Sequence, residues 1–497
     1  MSPPGRPKGE YRSAQHEGTP VTAGAIESLD LVGAADAVAR RQISARELTA
    51  WALQRLETTG RRLNAVFRID HEPAMERAAA LDDLQAAGGP LGPLHGVPLA
   101  HKDLFGVAGR ECHGGSIILR GYVAPRTAFA IEQLDRVGQV NLGSLHMAEF
   151  ALSPTGYNGH YGHGLNPWSP AHACGGSSSG SGIAVAARLI FGSLGSDTGG
   201  SIRHPAVMCG VTGLKPTARR VSVAGVLPLS HSLDCVGPLA QSARDCARLL
   251  RIIAKPDAAD SLCTRLPADD YEAALDGDLR DLRIGVPQAY YRDDVDAEVA
   301  AAMQASLDVL RARGAVLVDV GVPDMALINA MAQLVMQVEA ATLHRRWIES
   351  RPQDYAAQVR QRIDTGFAYS ALRYAEALSL RARLAQQYLD TCFAGCDVLH
   401  VPTLVSQVPT IAATTEGDSS LIQQTLSRVT ANTRGINYLG LPALSVPAGF
   451  SRAGLPMAFQ LVGRPFNEAR LLKTADAYQR ETDWHRRVPA LPTLSAP

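Results

Sequence analysis

Residues 175–182 read Gly-Gly-Ser-Ser-Ser-Gly-Ser-Gly, and Ile-Ala-Val-Ala-Ala follows at once from residue 183. A Gly/Ser run is ordinarily a flexible linker, but linkers seldom open directly into an apolar helix. At a helix start, the same residues aim backbone N–H groups and hydroxyls at one point, where the helix dipole favours negative charge. The run is therefore read as an anion or oxyanion loop ahead of a helix over 183–190. It closes a long Gly-rich loop, 153–182, entered from a strand over 139–142 that follows a helix over 130–137. Beyond it, 192–216 reads as a second turn-rich passage.

Farther out, Ser44-Ala-Arg-Glu47 is a capping box, and Leu48, Trp51, Ala52, Leu53 and Leu56 recur behind it at helical spacing. Helices are predicted over 73–87, 242–254, 295–313, 324–395, 419–438 and 468–481. Strands are predicted within 95–106 and over 282–287, 315–322, 398–401 and 443–446, with a hairpin over 448–464. Strands alternate with helices and no repeat or interdomain linker interrupts them. This predicts an α/β fold of one large unit, a mixed β-sheet core covered by helices on both sides. Residues 1–25 read as a flexible tail ahead of a single domain over 26–497.

The 497 residues carry 48 Lys+Arg against 48 Asp+Glu, with 46% hydrophobic and 19% charged residues, a balance that excludes a disordered chain and argues against a nucleic-acid binder. No apolar run reaches the ~18 residues of a membrane helix, and residues 1–20 lack the apolar stretch of a signal peptide. Eight cysteines at irregular spacing include no C-x-x-C pair. Cys392 and Cys396 share a helix face and read as core thiols, so a reducing, cytoplasmic setting without membrane or nucleic-acid partners fits best. Lysine is scarce: Lys8, Lys102, Lys215, Lys255 and Lys473 are all there are.

Two further passages carry chemistry. Gly195-Ser-Asp-Thr-Gly-Gly-Ser-Ile-Arg-His-Pro205 places Ser201 behind a glycine pair; a plain tight turn is the ordinary reading. Lys102 sits in a segment that otherwise reads as buried, Val97-Pro-Leu-Ala-His before it and Asp-Leu-Phe after it. An exposed strand-end lysine is the ordinary case, whereas a desolvated one has a lowered pKa and can act as a base. Gly176-Ser-Ser-Ser-Gly180 formally matches the G-x-S-x-G elbow, but that fold leaves Gly195–Arg203 without a role. There is no S-x-x-K, Walker A, H-E-x-x-H or strand-anchored G-x-G-x-x-G. His160-x-x-His163 lacks further ligands nearby, so no metal is assigned.

Taken together, the passages resemble the amidase signature family. The resemblance runs through Leu94-His-Gly-Val-Pro-Leu-Ala-His-Lys-Asp103, Asn141-Leu-Gly-Ser, Met147-Ala-Glu-Phe150, Asn166-Pro-Trp-Ser-Pro170, Gly175–Ser181, Gly195–Pro205 and Gly210-Val-Thr-Gly-Leu-Lys-Pro-Thr217. It continues in Ser232-Leu-Asp-Cys-Val-Gly-Pro238, Asn437-Tyr-Leu-Gly-Leu-Pro-Ala-Leu-Ser-Val-Pro447, Gln460-Leu-Val-Gly-Arg-Pro465 and Trp484-His485. It thus spans about residues 27 to 490. One departure is Ser179, where the family more often has glycine.

The resemblance implies an amidase with a serine–cis-serine–lysine triad: Ser201 as nucleophile, Ser177 as bridging serine on a cis peptide, and Lys102 as base. It implies an oxyanion hole from the backbone amides of Thr198, Gly199, Gly200 and Ser201, help from Ser178, and Asp197 and Arg203 as braces. It implies an acyl-enzyme, a small-molecule amide substrate, no metal or organic cofactor, and a homodimer as one assembly. Substrate choice is expected from 153–163, from the variable helical region 324–395 and from 403–415. Tyr157, Met336 and Tyr438 are the candidate substrate contacts, with Trp347 and Phe367 behind them. A glutaminase-type subunit of a tRNA-dependent amidotransferase and a carbamate- or urea-cleaving amidase are the alternatives, and a non-catalytic scaffold is a third.

Overall fold

The computed structural model of the protein describes residues 23–491. Most of the expected tail, residues 1–22, lies outside the described residues, and Ala23–Ile26 already form a helical turn. The described residues hold eleven strands in two sheets. These are β1 (Val66–Ile69), β2 (Pro98–Lys102), β3 (Val140–Leu145), β4 (Gly192–Asp197), β5 (Thr212–Lys215) and β6 (Cys235–Ala240). They continue as β7 (Arg283–Pro287), β8 (Val316–Val320), β9 (Val398–Pro402), β10 (Ala443–Phe450) and β11 (Pro456–Gly463). The small sheet has the order β1-β3-β2, and the large one β4-β6-β5-β10-β11-β9-β7-β8. Pairing in the large sheet is antiparallel from β4 to β9 and parallel from β9 to β8, so the sheet is mixed. The parallel end follows from the helix Ala297–Ala312 between β7 and β8, since parallel neighbours need a crossover.

Three expectations are corrected. The stretch 192–216, read as turns, is strand, helix (Arg203–Cys209) and strand. Its glycines and serines mislead because every residue of β4 is buried, and a strand enclosed on both faces is judged by fit rather than propensity. The helix after the serine loop runs Ser179–Ala186, starting four residues earlier than predicted. The small residues are its first turn, not a lead-in: a Cβ on Gly180 would stand 2.3 Å from the Ala65 carbonyl oxygen. The helix expected over 419–438 is two, Ser419–Thr430 and Arg434–Leu439, and the break presents Thr433 and Asn437 to the 197–203 segment.

The helical region 324–395 contains Met325–Ser350, Ala357–Phe367 and Ala371–Cys392. Met325–Ser350 is long and apolar enough to cross a membrane by length and composition, yet half of its most apolar stretch is buried inside the fold. Ile328, Ala332 and Val335 pack there in one cluster with Tyr388 and Tyr438, which is how a core helix satisfies the same test.

Candidate active site

β2 ends on Lys102, and what fixes that side chain is the residue before it. The His101 imidazole bridges the two sheets: its Nδ1 accepts the N–H of Leu194 on edge strand β4 at 3.1 Å, and its Nε2 lies 3.0 Å from Gln139 Oε1. Burial pushes the His101 imidazole down to about 4, so it stays neutral and can accept. With β2 pinned against β4, Lys102 Nζ donates to Ser196 Oγ at 2.8 Å and to Ser177 Oγ at 2.7 Å. Lys102 is 1% exposed. Burial pushes its ammonium down to about 7, against the pull of Asp234 and Asp197 toward higher values. Neither His101 nor Ser196 was singled out in the sequence; a polar histidine beside the lysine of an otherwise apolar strand is the signal that marks them.

The Gly176–Ser177 peptide is cis. Gly176 is pressed against the preceding loop, where a Cβ would meet the Ser153 carbonyl oxygen at 2.5 Å and the Gly156 nitrogen at 2.6 Å. The Ala148 N–H holds the Ser177 carbonyl at 3.1 Å. Ser178 turns its hydroxyl away to the Ser196 carbonyl (3.2 Å), while its N–H donates to the Ser201 carbonyl at 3.3 Å. Ser178 thus ties the two serine segments together through the backbone. The unusual Ser179 is employed too, its Oγ lying 2.8 Å from His146 Nδ1.

Asp197 organises the turn that carries Ser201. Its carboxylate accepts from the N–H groups of Gly200 (2.7 Å) and Ile202 (3.1 Å) and from Arg203 Nε and Nη2 at 3.1 and 3.0 Å. Burial alone pushes the Asp197 carboxyl up, but the Arg203 guanidinium and these bonds outweigh it and hold it below the usual carboxylate range. Arg203, fully buried, also donates to Asn437 Oδ1, Gln460 Oε1 and the Thr433 carbonyl. Gly200 has φ +133, and a Cβ there would fall 2.2 Å from the His204 ring, so the turn admits only glycine.

The backbone amides of this turn fall into two groups. The Gly200 N–H is committed to Asp197, whereas those of Thr198, Gly199 and Ser201 have no partner among the described residues. The Thr198 hydroxyl donates to Asp234 Oδ1 at 2.6 Å, which fixes the start of the turn. Asp234 in turn accepts the N–H groups of Leu229 and Ser230.

Thr198, Gly199 and Ser201 line a cavity of about 540 Å³, a volume suited to a small ligand. Its walls come from 151–154, 333–337, 358–365 and 419–434. Of the candidate substrate contacts, Met336 lines it. Tyr438 does not: it is buried, with its hydroxyl on the Ala377 carbonyl. Tyr157 packs on His163, Trp347 stacks on Phe150, and Phe367 is exposed; none of the three is among the residues that line the cavity. Residues 403–415 give way to 419–434. A chain segment's distance from the cavity is set by how helices pack, which aromatic content does not reveal. His160, the first histidine of the possible metal pair, lies 3.0 Å from Glu149 Oε1 instead.

The chain matches the Amidase family over residues 47–472. It is 38% identical over 474 residues to the A subunit of glutamyl-tRNA(Gln) amidotransferase from Methylococcus capsulatus, covering 91% of this chain and 96% of that one. Among solved structures, it superposes with a TM-score of 0.85 and 32% identity on one from a vestigial protein complex that reveals the evolutionary origins of an s-triazine catabolic enzyme, covering 91% of this chain and 98% of that one. It superposes on the native peptide amidase of Stenotrophomonas maltophilia with a TM-score of 0.80 and 29% identity, covering 93% of this chain and 99% of that one. With family match, relatives and fold in agreement, the chain belongs to the amidase signature family of hydrolases that act on carbon–nitrogen amide bonds.

Proposed function

We propose that this protein hydrolyses a small-molecule amide through Ser201, Ser177 and Lys102 by way of an acyl-enzyme. The observation that carries the reading is the buried Lys102, poised near neutral pH and donating to Ser177 Oγ beside the cavity that Ser201 lines. A serine hydroxyl needs a base before it can attack. As Ser201 Oγ bonds to the amide carbon, its proton passes to Ser177 Oγ, and the Ser177 proton passes to neutral Lys102. The contact between the two serines closes on the substrate complex, as catalytic hydrogen bonds commonly do. The free N–H groups of Thr198, Gly199 and Ser201 receive the negative oxygen. The relay then returns a proton to the leaving nitrogen, the C–N bond breaks, and ammonia or an amine departs. Water attacks the Ser201 ester by the same route and releases the acid.

Eight buried free thiols support a cytoplasmic setting for this chemistry. A second reading is a glutaminase-type subunit of a tRNA-dependent amidotransferase. Its support is the 38% identity to the amidotransferase's A subunit across nearly the full length of both chains, and among the relatives' names it is the better supported of the two. Ammonia release from glutamine, measured with and without partner proteins, separates the readings. Fluorophosphonate labelling tests the shared chemistry: the wild type is expected to be labelled and Ser201→Ala not. Labelling that survives Ser201→Ala unchanged would sink the assignment of the nucleophile.

A further inference from the structure

The wall of the Ser201 cavity carries two arginines that no carboxylate neutralises. Arg434 opens the helix Arg434–Leu439 and donates from Nη1 to Gln333 Oε1 and from Nη2 to Thr430 Oγ1, both at 2.7 Å. Arg362 donates to the Leu152 carbonyl. Every one of these acceptors is neutral, and neither arginine forms an ion pair among the described residues. The cavity lining supplies no Asp or Glu; its polar remainder is Gln, Ser, Thr and His204. Burial pushes the His204 imidazole down to about 3 and both guanidiniums down to about 10, so at neutral pH the histidine is uncharged and the arginines stay cationic.

Position makes this charge more than a packing detail. A Cβ on Gly199 would lie 3.6 Å from Arg434 Cγ, so the Arg434 side chain rests on the turn that offers its N–H groups to the reacting carbonyl. Desolvated cations with neutral partners leave a free-energy deficit that an anionic ligand would offset. A guanidinium fork matches a carboxylate in shape as well as charge. An ammonium group, by contrast, would enter a site holding two cations and no counter-charge.

We propose that the substrate is a small amide that bears a carboxylate and no ammonium group, the carboxylate being held by Arg434 and Arg362 while the amide reaches Ser201. This rests on the amide-hydrolase reading above and narrows it. It sets glutamine, whose α-ammonium has nothing to meet, below its desamino analogue.

The test is ammonia release from the monoamides of malonate, succinate, glutarate and adipate. Each is compared with the neutral alkyl amide of the same length, and the succinate and glutarate monoamides also with asparagine and glutamine. The best acidic monoamide is expected to exceed its neutral counterpart in kcat/KM by about 30-fold or more, the scale of a hydrogen-bonded charge. It should exceed its α-amino counterpart as well. Arg434→Gln should collapse the acidic-to-neutral ratio, and Arg434→Lys should restore part of it. Neutral amides turned over as fast as acidic ones, or glutamine turned over faster than the glutarate monoamide, would overturn the proposal. So would an Arg434→Gln variant that slows both classes equally, because that places Arg434 on the oxyanion instead. The wild-type comparison needs no variant to fold.

Calorimetric binding of the same monoamides to Ser201→Ala keeps the two readings apart. Binding that depends on Arg434, with no ammonia released from any amide by the wild type, leaves the acid site standing and removes the hydrolase. Turnover of neutral amides with neither preference for nor binding of the acidic ones removes the acid site alone. Absence of both binding and turnover removes both.

Discussion

Behind the cavity floor, which is the turn that carries Ser201, Arg203 is fully buried and gives its guanidinium to Asp197, Asn437, Gln460 and the Thr433 carbonyl. On the wall, Arg434 is half-buried and, among the described residues, its guanidinium donates only to Gln333 and Thr430. The same residue type serves opposite ends. Arg203 neutralises Asp197, so the turn bearing Ser201 holds its shape without substrate. Arg434 keeps its charge unspent, so its best partner comes from outside. A charge matched inside the fold stabilises geometry, whereas an unmatched one facing a cavity selects a ligand.

Removing the floor's chemistry should have the largest effect. Ser201→Ala is expected to lower kcat by about 10⁴-fold or more, the scale seen when a nucleophile is deleted from a serine relay, read as ammonia release by folded protein. Lys102→Arg should cost about 10³-fold, because a guanidinium retains charge and donors but cannot give up its proton near neutral pH. A Lys102→Arg enzyme that keeps a tenth of its activity would mean that positive charge, not proton transfer, is what the floor supplies.

Asp197→Asn addresses structure on the same floor. It leaves Arg203 buried without its counter-charge, and a loss of about 3–5 kcal/mol in unfolding free energy is expected from denaturant titration. Were stability unchanged, the contrast between matched and unmatched arginines would lose its basis.

The pH dependence follows from Lys102. Burial lowers its pKa to about 7, and only the neutral amine accepts a proton. Activity should therefore be full above that value and fall about tenfold per pH unit below it, as log kcat/KM against pH shows. A limb near 10 instead would indicate an ordinary, solvated lysine.

The smallest effect is expected on the wall. Gln333→Ala removes the acceptor that aims Arg434 Nη1 and should weaken kcat/KM for acidic amides about two- to tenfold, the worth of one hydrogen bond, with little change in stability. A loss shared equally by neutral amides would show that Gln333 supports the cavity as a whole.

How much of this was legible varies by region. The capping box at Ser44 and the helix 468–481 were readable because their signals lie within a few residues of one another. The strands within 192–216 were not, since their small residues answer to enclosure by neighbours distant in sequence. In the site, Lys102, Ser177 and Ser201 were named from motifs, while His101 and Ser196, which aim the lysine, emerged only when β2 met β4. Tyr157 and Tyr438 were drawn toward the substrate by their residue type alone, and packing turned both elsewhere.

By itself, the sequence supplied the candidate reacting groups. One lysine set in an apolar segment and two serines in glycine-rich runs are chemical identities, carried by residue type and short spacing. Tertiary structure decided the state those groups are in. The Lys102 pKa is lowered by burial that distant segments impose, and the Gly200 amide donates to the Asp197 carboxylate folded beneath it. It also decided what surrounds them, bringing Arg362 and Arg434, 72 positions apart in the chain, to one cavity with no acid between them. Solvation and long-range pairing are properties of the assembled fold, and no local pattern encodes them.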